Sequence, residues 1–140
     1  GFHLADVALD RLGLRERKGA PETFDAWGYA ALLRRLREET EHDVMAPTFE
    51  RTLEQPLAGA IAVPPQARVV ITEGNYLLLD RPGWREARST LAEVWHLRLA
   101  DEVRRERLIA RHIRFGKRVR LLPSHVISNR KKQPADQFLR

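Results

Sequence analysis

The sequence predicts an α/β fold in which a parallel sheet is flanked by helices. Two observations lead there. The first is a continuous β-branched run, Arg68-Val69-Val70-Ile71-Thr72, which does not alternate and so suits a strand covered on both faces. The second is the order in which apolar patterns follow one another over residues 68–115: strand, helix, strand, helix, the order that builds parallel sheets. At 140 residues with 43% hydrophobic composition, the chain can form one domain with a real core.

From the start, Ala5 to Leu12 is a short helical pattern, and Arg15 to Thr23 is polar with Gly19 and Pro21, a loop. Asp25 suits the N-cap of a helix running to about Glu41. Its apolar positions Tyr29, Leu32, Leu33 and Leu36 form one stripe for burial. Val44 to Phe49 suits a short strand broken by Pro47, and a loop with Pro56, Gly59, Pro64 and Pro65 follows. After the strand at 68–72 comes a Glu73-Gly74-Asn75 turn, then a helical pattern over Trp84 to Ala92 and a second strand over Val94 to Leu99. Asp101 can cap a helix through Phe115, with Gly116 as its stop. Beyond Lys117 the periodicity collapses, so residues 118–140 are expected to be an unstructured basic tail outside the domain formed by 1–117.

Charge locates one function class. The net charge is +6, and residues 117–140 hold seven basic residues against Asp136, which accounts for all of it. The body is neutral, so nucleic acid is not an expected partner of the folded part. A small protein binding nucleic acid or another acidic partner through the tail (Arg130-Lys131-Lys132) is the alternative reading. No aromatic residues interleave those cations to stack on bases. The chain has no cysteine, no apolar run long enough to span a membrane and no metal-ligand spacing among its five histidines. A cytoplasmic protein is expected.

Three features can carry chemistry. Glu73 stands where the apolar strand ends, the place where open α/β sheets bind ligands, and a carboxylate there can hold Mg²⁺ directly or through water. It equally suits a capping carboxylate at a turn. Arg104, Arg107, Arg111 and Arg114 step by three and four onto one helix face. Such like charges repel by about 0.2–0.5 kcal/mol per pair. A visiting phosphate would relieve that, and so would simple solvation of a basic face. The run Arg17-Lys18-Gly19-Ala20-Pro21-Glu22-Thr23-Phe24-Asp25 joins a cation, a tight loop and a helix cap, which makes an anion-contacting corner or an ordinary capped loop.

Together these stretches resemble the P-loop kinases of the uridine kinase, phosphoribulokinase and type I pantothenate kinase family. Gly1-Phe2-His3-Leu4 resembles the stretch after the second strand of those kinases. Arg17 to Asp25 is similar to the Lys-Gly-x-Pro-Glu-Ser/Thr-aromatic-Asp run of type I pantothenate kinases. Ala46-Pro47-Thr48-Phe49 resembles their Ala-Pro-x-aromatic segment, Ile71 to Asn75 the superfamily's Glu-Gly motif, and Arg104 to Lys117 the lid helix.

The resemblance implies a partial P-loop NTPase fold and an ATP- and Mg²⁺-dependent transfer of phosphate to a hydroxyl of a small metabolite, nucleoside-, sugar- or pantothenate-like. It places Glu73 near Mg²⁺ and Arg107 and Arg111 on the transferring charge, as catalytic residues. It places His3, Lys18 and Phe49 against the acceptor. Two departures stand out. No G-x-x-x-x-G-K-[ST] phosphate loop occurs in the sequence, so an inactive fragment is expected. Arg51 stands where pantothenate kinases carry a histidine.

Overall fold

The computed structural model describes residues 1–114. They fall in two compact units, one spanning Gly1–Val94 and a second beginning at Trp95. The expected boundary at 117/118, the tail and the helix stop at Gly116 lie outside the described residues.

In the first unit, helix α1 (Asp6–Arg11) is followed by two single 3₁₀ turns, Arg15–Arg17 and Pro21–Thr23. Helix α2 (Ala26–Glu38) comes next, then strands β1 (Val44–Glu50) and β2 (Gln55–Val63), and helix α3 (Trp84–Ser89). The second unit holds helix α4 (Asp101–Arg114). This is a mixed α/β arrangement, and among the described residues the one sheet is the antiparallel pair β1–β2.

Helix α2 organises the core. Asp25 caps it as expected, its carboxylate accepting the Gly28 N–H at 2.7 Å. The stripe Ala26, Tyr29, Ala30, Leu33 is buried, and Leu79, Trp84 and Ala87 pack against it. Phe2, Phe24 and Tyr76 close the cluster with tilted and edge-on ring contacts, among them Phe24–Trp84 at 5.8 Å between centroids. Burying each large side chain in such a cluster is worth about 1.5–3 kcal/mol. The helix stops at Glu38 rather than Glu41. The reason is local: the Glu39 carboxylate accepts the N–H groups of Glu41 and His42, at 3.0 and 3.1 Å, and turns the chain away.

One expectation about strands needs correction, and two others are not seen among the described residues. The stretch after β1, read as loop, contains all of β2, because Gln55, Pro56 and Leu57 and then Ile61, Ala62 and Val63 pair with β1 on either side of Gly59. Both prolines are tolerated because a two-stranded ribbon has two open edges. The register breaks between Ala46 and Thr48, where Pro47 sits, and Gly59 opposite takes φ +64°. Segments 68–72 and 94–99, read as strands of a parallel sheet, carry no strand structure. Among the described residues the sheet is β1–β2, and neither segment belongs to it. Val69 and Ile71 are accordingly 77% and 91% exposed. The run is held at its end by Tyr29, whose hydroxyl shares a 2.8 Å hydrogen bond with that of Thr72.

Gly83 enters α3 with φ +80°, and a Cβ there would lie 2.9 Å from that of Ala26. Gly13 also has a positive φ, +65°, but open space around it. Gly83→Ala should therefore lower unfolding free energy by about 1–3 kcal/mol, and Gly13→Ala by no more than about 1–2 kcal/mol. Urea unfolding of the two variants checks the order.

Candidate active site

The acceptor-side residues named from sequence come together through a small backbone device. Residues 2–4 lie antiparallel to 23–25: Leu4 donates to the Thr23 carbonyl and Asp25 donates to the Phe2 carbonyl, both at 2.9 Å, which makes a His3–Phe24 bridge. The His3 ring consequently stacks on Phe24 with centroids 3.9 Å apart, and Phe49 of β1 lies 5.2 Å from it on a second contact. Gly1 meets the backbone of Pro47 so closely that a Cβ would collide with its carbonyl, so β1 is seated against the same segment.

The loop before α2 is equally built. Gly19 takes φ +102°. The wholly buried Thr23 hydroxyl accepts the Gly19 N–H at 2.9 Å and donates to the Ala20 carbonyl at 2.7 Å. Tyr76 donates to the Gly19 carbonyl at 2.6 Å, so the stretch after Glu73-Gly74 is tied to this loop.

Lys18 emerges from that loop. Its Nζ donates to Asp6 Oδ1 and to the Glu54 carbonyl, each at 2.7 Å, and stands 5.8 Å from the Phe49 ring centre. Glu54, in the turn between β1 and β2, is the one non-glycine residue with positive φ (52°) among the described residues, and Lys18 holds its carbonyl. Asp6 also receives Arg15 at 2.9 Å, and its backbone N–H donates to Gln55 Oε1 at 3.1 Å. His3, Lys18 and Phe49 therefore form one cluster.

Electrostatics follow from that packing. Burial, reinforced by the Lys18 charge, lowers the His3 imidazole from its usual 6.5 to about 4, with Glu54 opposing. The ring is neutral at pH 7. Its Nδ1 is buried without a hydrogen-bond partner. The hydrogen bond from Lys18 holds the Asp6 carboxyl below its usual value, against an opposing cost of desolvation. Burial pushes the Tyr76 hydroxyl up, and the nearby Glu22 carboxylate adds to it.

The remaining named residues lie elsewhere. Glu73 is exposed in the unpaired stretch before Tyr76, outside the His3–Lys18–Phe49 contacts. Arg107 and Arg111 are exposed on α4, in the second unit. Arg104 on the same face is partly engaged, its guanidinium reaching Asp101 at 3.1 Å. Sequence reasoning missed Asp6, Glu54 and Gln55. Asp6 looked like an ordinary first-turn carboxylate, and the other two lay in a stretch read as loop.

Over 123 residues the chain is 36% identical to the ATP-dependent kinase-like protein notR' of Aspergillus versicolor, covering 83% of this chain and 72% of that one. Over 120 residues it is 35% identical to a protein of Schizosaccharomyces pombe described as "putative uridine kinase C227.14", again covering 83% of this chain. The chain belongs to the uridine kinase-like P-loop kinase family. A crystal structure from Silicibacter sp. TM1040, described as a "putative fructose transport system kinase", matches with a TM-score of 0.74 and 37% identity, over 91% of this chain. The chain spans about half of the S. pombe relative (51%) and 59% of the Silicibacter kinase. No family model matches it. For a member of this kinase family the fold is P-loop-like α/β, and among the described residues no helix is long and apolar enough to cross a membrane.

His3 makes stability depend on pH. Its folded-state value lies below its unfolded one, so between pH 6.5 and about 4 the unfolded chain binds more protons and stability falls as pH drops. The Asp6 contribution is present above its ordinary 3.8 and is lost only below that, as pH falls through its lowered folded value. The thermal midpoint should thus decline from pH 6.5 towards 4, and His3→Asn should flatten that decline. Melting curves of both proteins across this range test it.

Proposed function

We propose that this chain is the acceptor-binding middle part of an ATP-dependent small-molecule kinase, one that moves a phosphoryl group onto a hydroxyl. The observation that carries the reading is the cluster of His3, Lys18 and Phe49 on the loop and strand where the family resemblance puts the acceptor. In this reading Phe49 and Phe24 offer apolar faces to the carbon skeleton of the acceptor. Lys18, with two of its three N–H donors engaged, has one left for an acceptor oxygen. The third segment of the site, Glu73 to Tyr76, is tethered to the Lys18 loop through Gly19.

Bound ATP with Mg²⁺ would supply the phosphoryl group and the charge neutralisation it needs. Among the described residues no cluster of three or more metal-binding side chains exists. A single exposed carboxylate, Glu73, fits an ion held mainly by water and phosphate oxygens. Arg107 and Arg111, exposed on one face of α4, fit phosphate oxygens and would stabilise charge that grows during transfer. We further propose that segments 68–72 and 94–99 are strands of a parallel sheet in the complete kinase, a reading supported by the exposed Val69 and Ile71. The domain would then comprise residues 1–117, with 118–140 as an appended basic tail. The 140-residue chain carries no phosphate loop sequence, so by itself it is proposed to be inactive. A cytoplasmic setting follows from ATP as donor.

Two substitutions in the complete kinase test the assignment. Arg107→Ala should lower kcat by about 10²–10³-fold with little change in KM, since the contact strengthens as charge develops. Glu73→Gln should raise the Mg²⁺ concentration needed for half-maximal rate. Steady-state kinetics over a panel of hydroxyl-bearing metabolites gives both readings. An unchanged kcat in the first variant would remove Arg107 from the reaction.

A further inference from the structure

The positive charges of the acceptor corner are already matched. Lys18 is 2.7 Å from the Asp6 carboxylate. Arg15 is held between Asp6 at 2.9 Å and Asp10 at 3.2 Å. Arg17 is paired with Glu22. Glu54 adds a further carboxylate close enough to act on His3. An acceptor bearing a carboxylate or phosphate would approach Lys18 only beside the charge of Asp6, and repulsion would offset the attraction. An uncharged hydroxyl meets no such opposition, because Lys18 keeps its donor capacity while its charge is neutralised.

His3 points the same way. Its buried, unpartnered Nδ1 is best occupied by a lone pair, since an orphaned N–H is the costlier of the two. That tautomer leaves the proton on Nε2, a neutral donor suited to a hydroxyl oxygen.

We propose that this corner selects an uncharged polyhydroxyl molecule, with Asp6 as the specificity-determining residue that withholds the Lys18 charge from carboxylate or phosphate groups. The inference rests on the acceptor-binding reading above and narrows it. Asp6 acts through Lys18 and is a positioning residue. The Arg15 and Gln55 contacts fix the carboxylate and the start of α1 in place. The three participating stretches are the start of α1, the Lys18 loop and the β1–β2 turn, all within Gly1–Val94.

The test is direct binding to the 140-residue chain, by calorimetry or saturation-transfer NMR, with four probes: uridine, D-fructose, pantothenate and ribulose 5-phosphate. Wild type should bind one of the neutral probes about tenfold or more tighter than either anion. Asp6→Asn should shift that ratio by about tenfold towards the anions, and Asp6→Glu should restore it. Lys18→Gln should weaken the neutral probe without selective loss of the anions, and it carries the test if melting curves show that Asp6→Asn does not fold.

Anions binding as tightly as the neutral probes overturns the proposal, as does failure of both neutral probes to bind. An unchanged ratio in a folded Asp6→Asn variant, or selective loss of anion binding in Lys18→Gln, overturns it equally. The two readings fail separately. The expected binding ratio with no phosphoryl transfer to the bound probe in the complete kinase supports this proposal and removes the kinase reading. Transfer that prefers an anionic acceptor does the reverse.

Discussion

Two backbone hydrogen bonds, from Leu4 to Thr23 and from Asp25 to Phe2, hold the candidate site together. They join the first residues of the chain to the loop that precedes α2. One of them ends on the residue that caps α2, so the core helix and the site share an anchor. The buried Thr23 hydroxyl, bonded to the Gly19 N–H and the Ala20 carbonyl, keeps that loop in a single shape. Without this bracket the His3 ring would have no Phe24 to lie on, and Lys18 would leave the loop in another direction. The site is therefore positioned by main-chain geometry, with side chains filling places already set.

What could be read in the sequence followed physical locality. The cap at Asp25, the α2 stripe and the Gly19 loop depend on neighbours a few residues away, so their spacing carried the information. The cluster of His3, Lys18 and Phe49 became visible only through the family resemblance, because it joins positions far apart in the chain. The β2 strand was hidden behind Pro56 and Gly59, whose usual meaning is a turn. An antiparallel ribbon with open edges tolerates both. Asp6 and Gln55 gave no local signal at all. A first-turn carboxylate and a strand-end amide become significant only when a lysine twelve residues from the first of them arrives between them and the β1–β2 turn.

The run at 68–72 shows the opposite failure. Its composition is that of a strand, yet a strand's hydrogen bonds belong to two segments and cannot be satisfied by one. Composition predicts the capacity to pair, not the presence of a partner. Leaving Val69 and Ile71 in water is unfavourable, and such an edge invites association with any other open strand. Within Gly1–Val94 the α2 cluster forms a closed core, and the site is built on its rim.

The two tethers of Lys18 have an evolutionary consequence. One side chain binds the start of α1 and the strained turn at Glu54, segments that lie 12 residues before it and 36 after it. A change of charge at position 6 alone leaves a half-buried ammonium with one of its two partners, and a change at 18 alone leaves the Glu54 carbonyl without its lysine. These positions can drift only in concert. Across relatives, the identities at 6 and 18 and the length of the β1–β2 turn should vary as a linked set, and lineages that have broken the link are where a new acceptor should be sought.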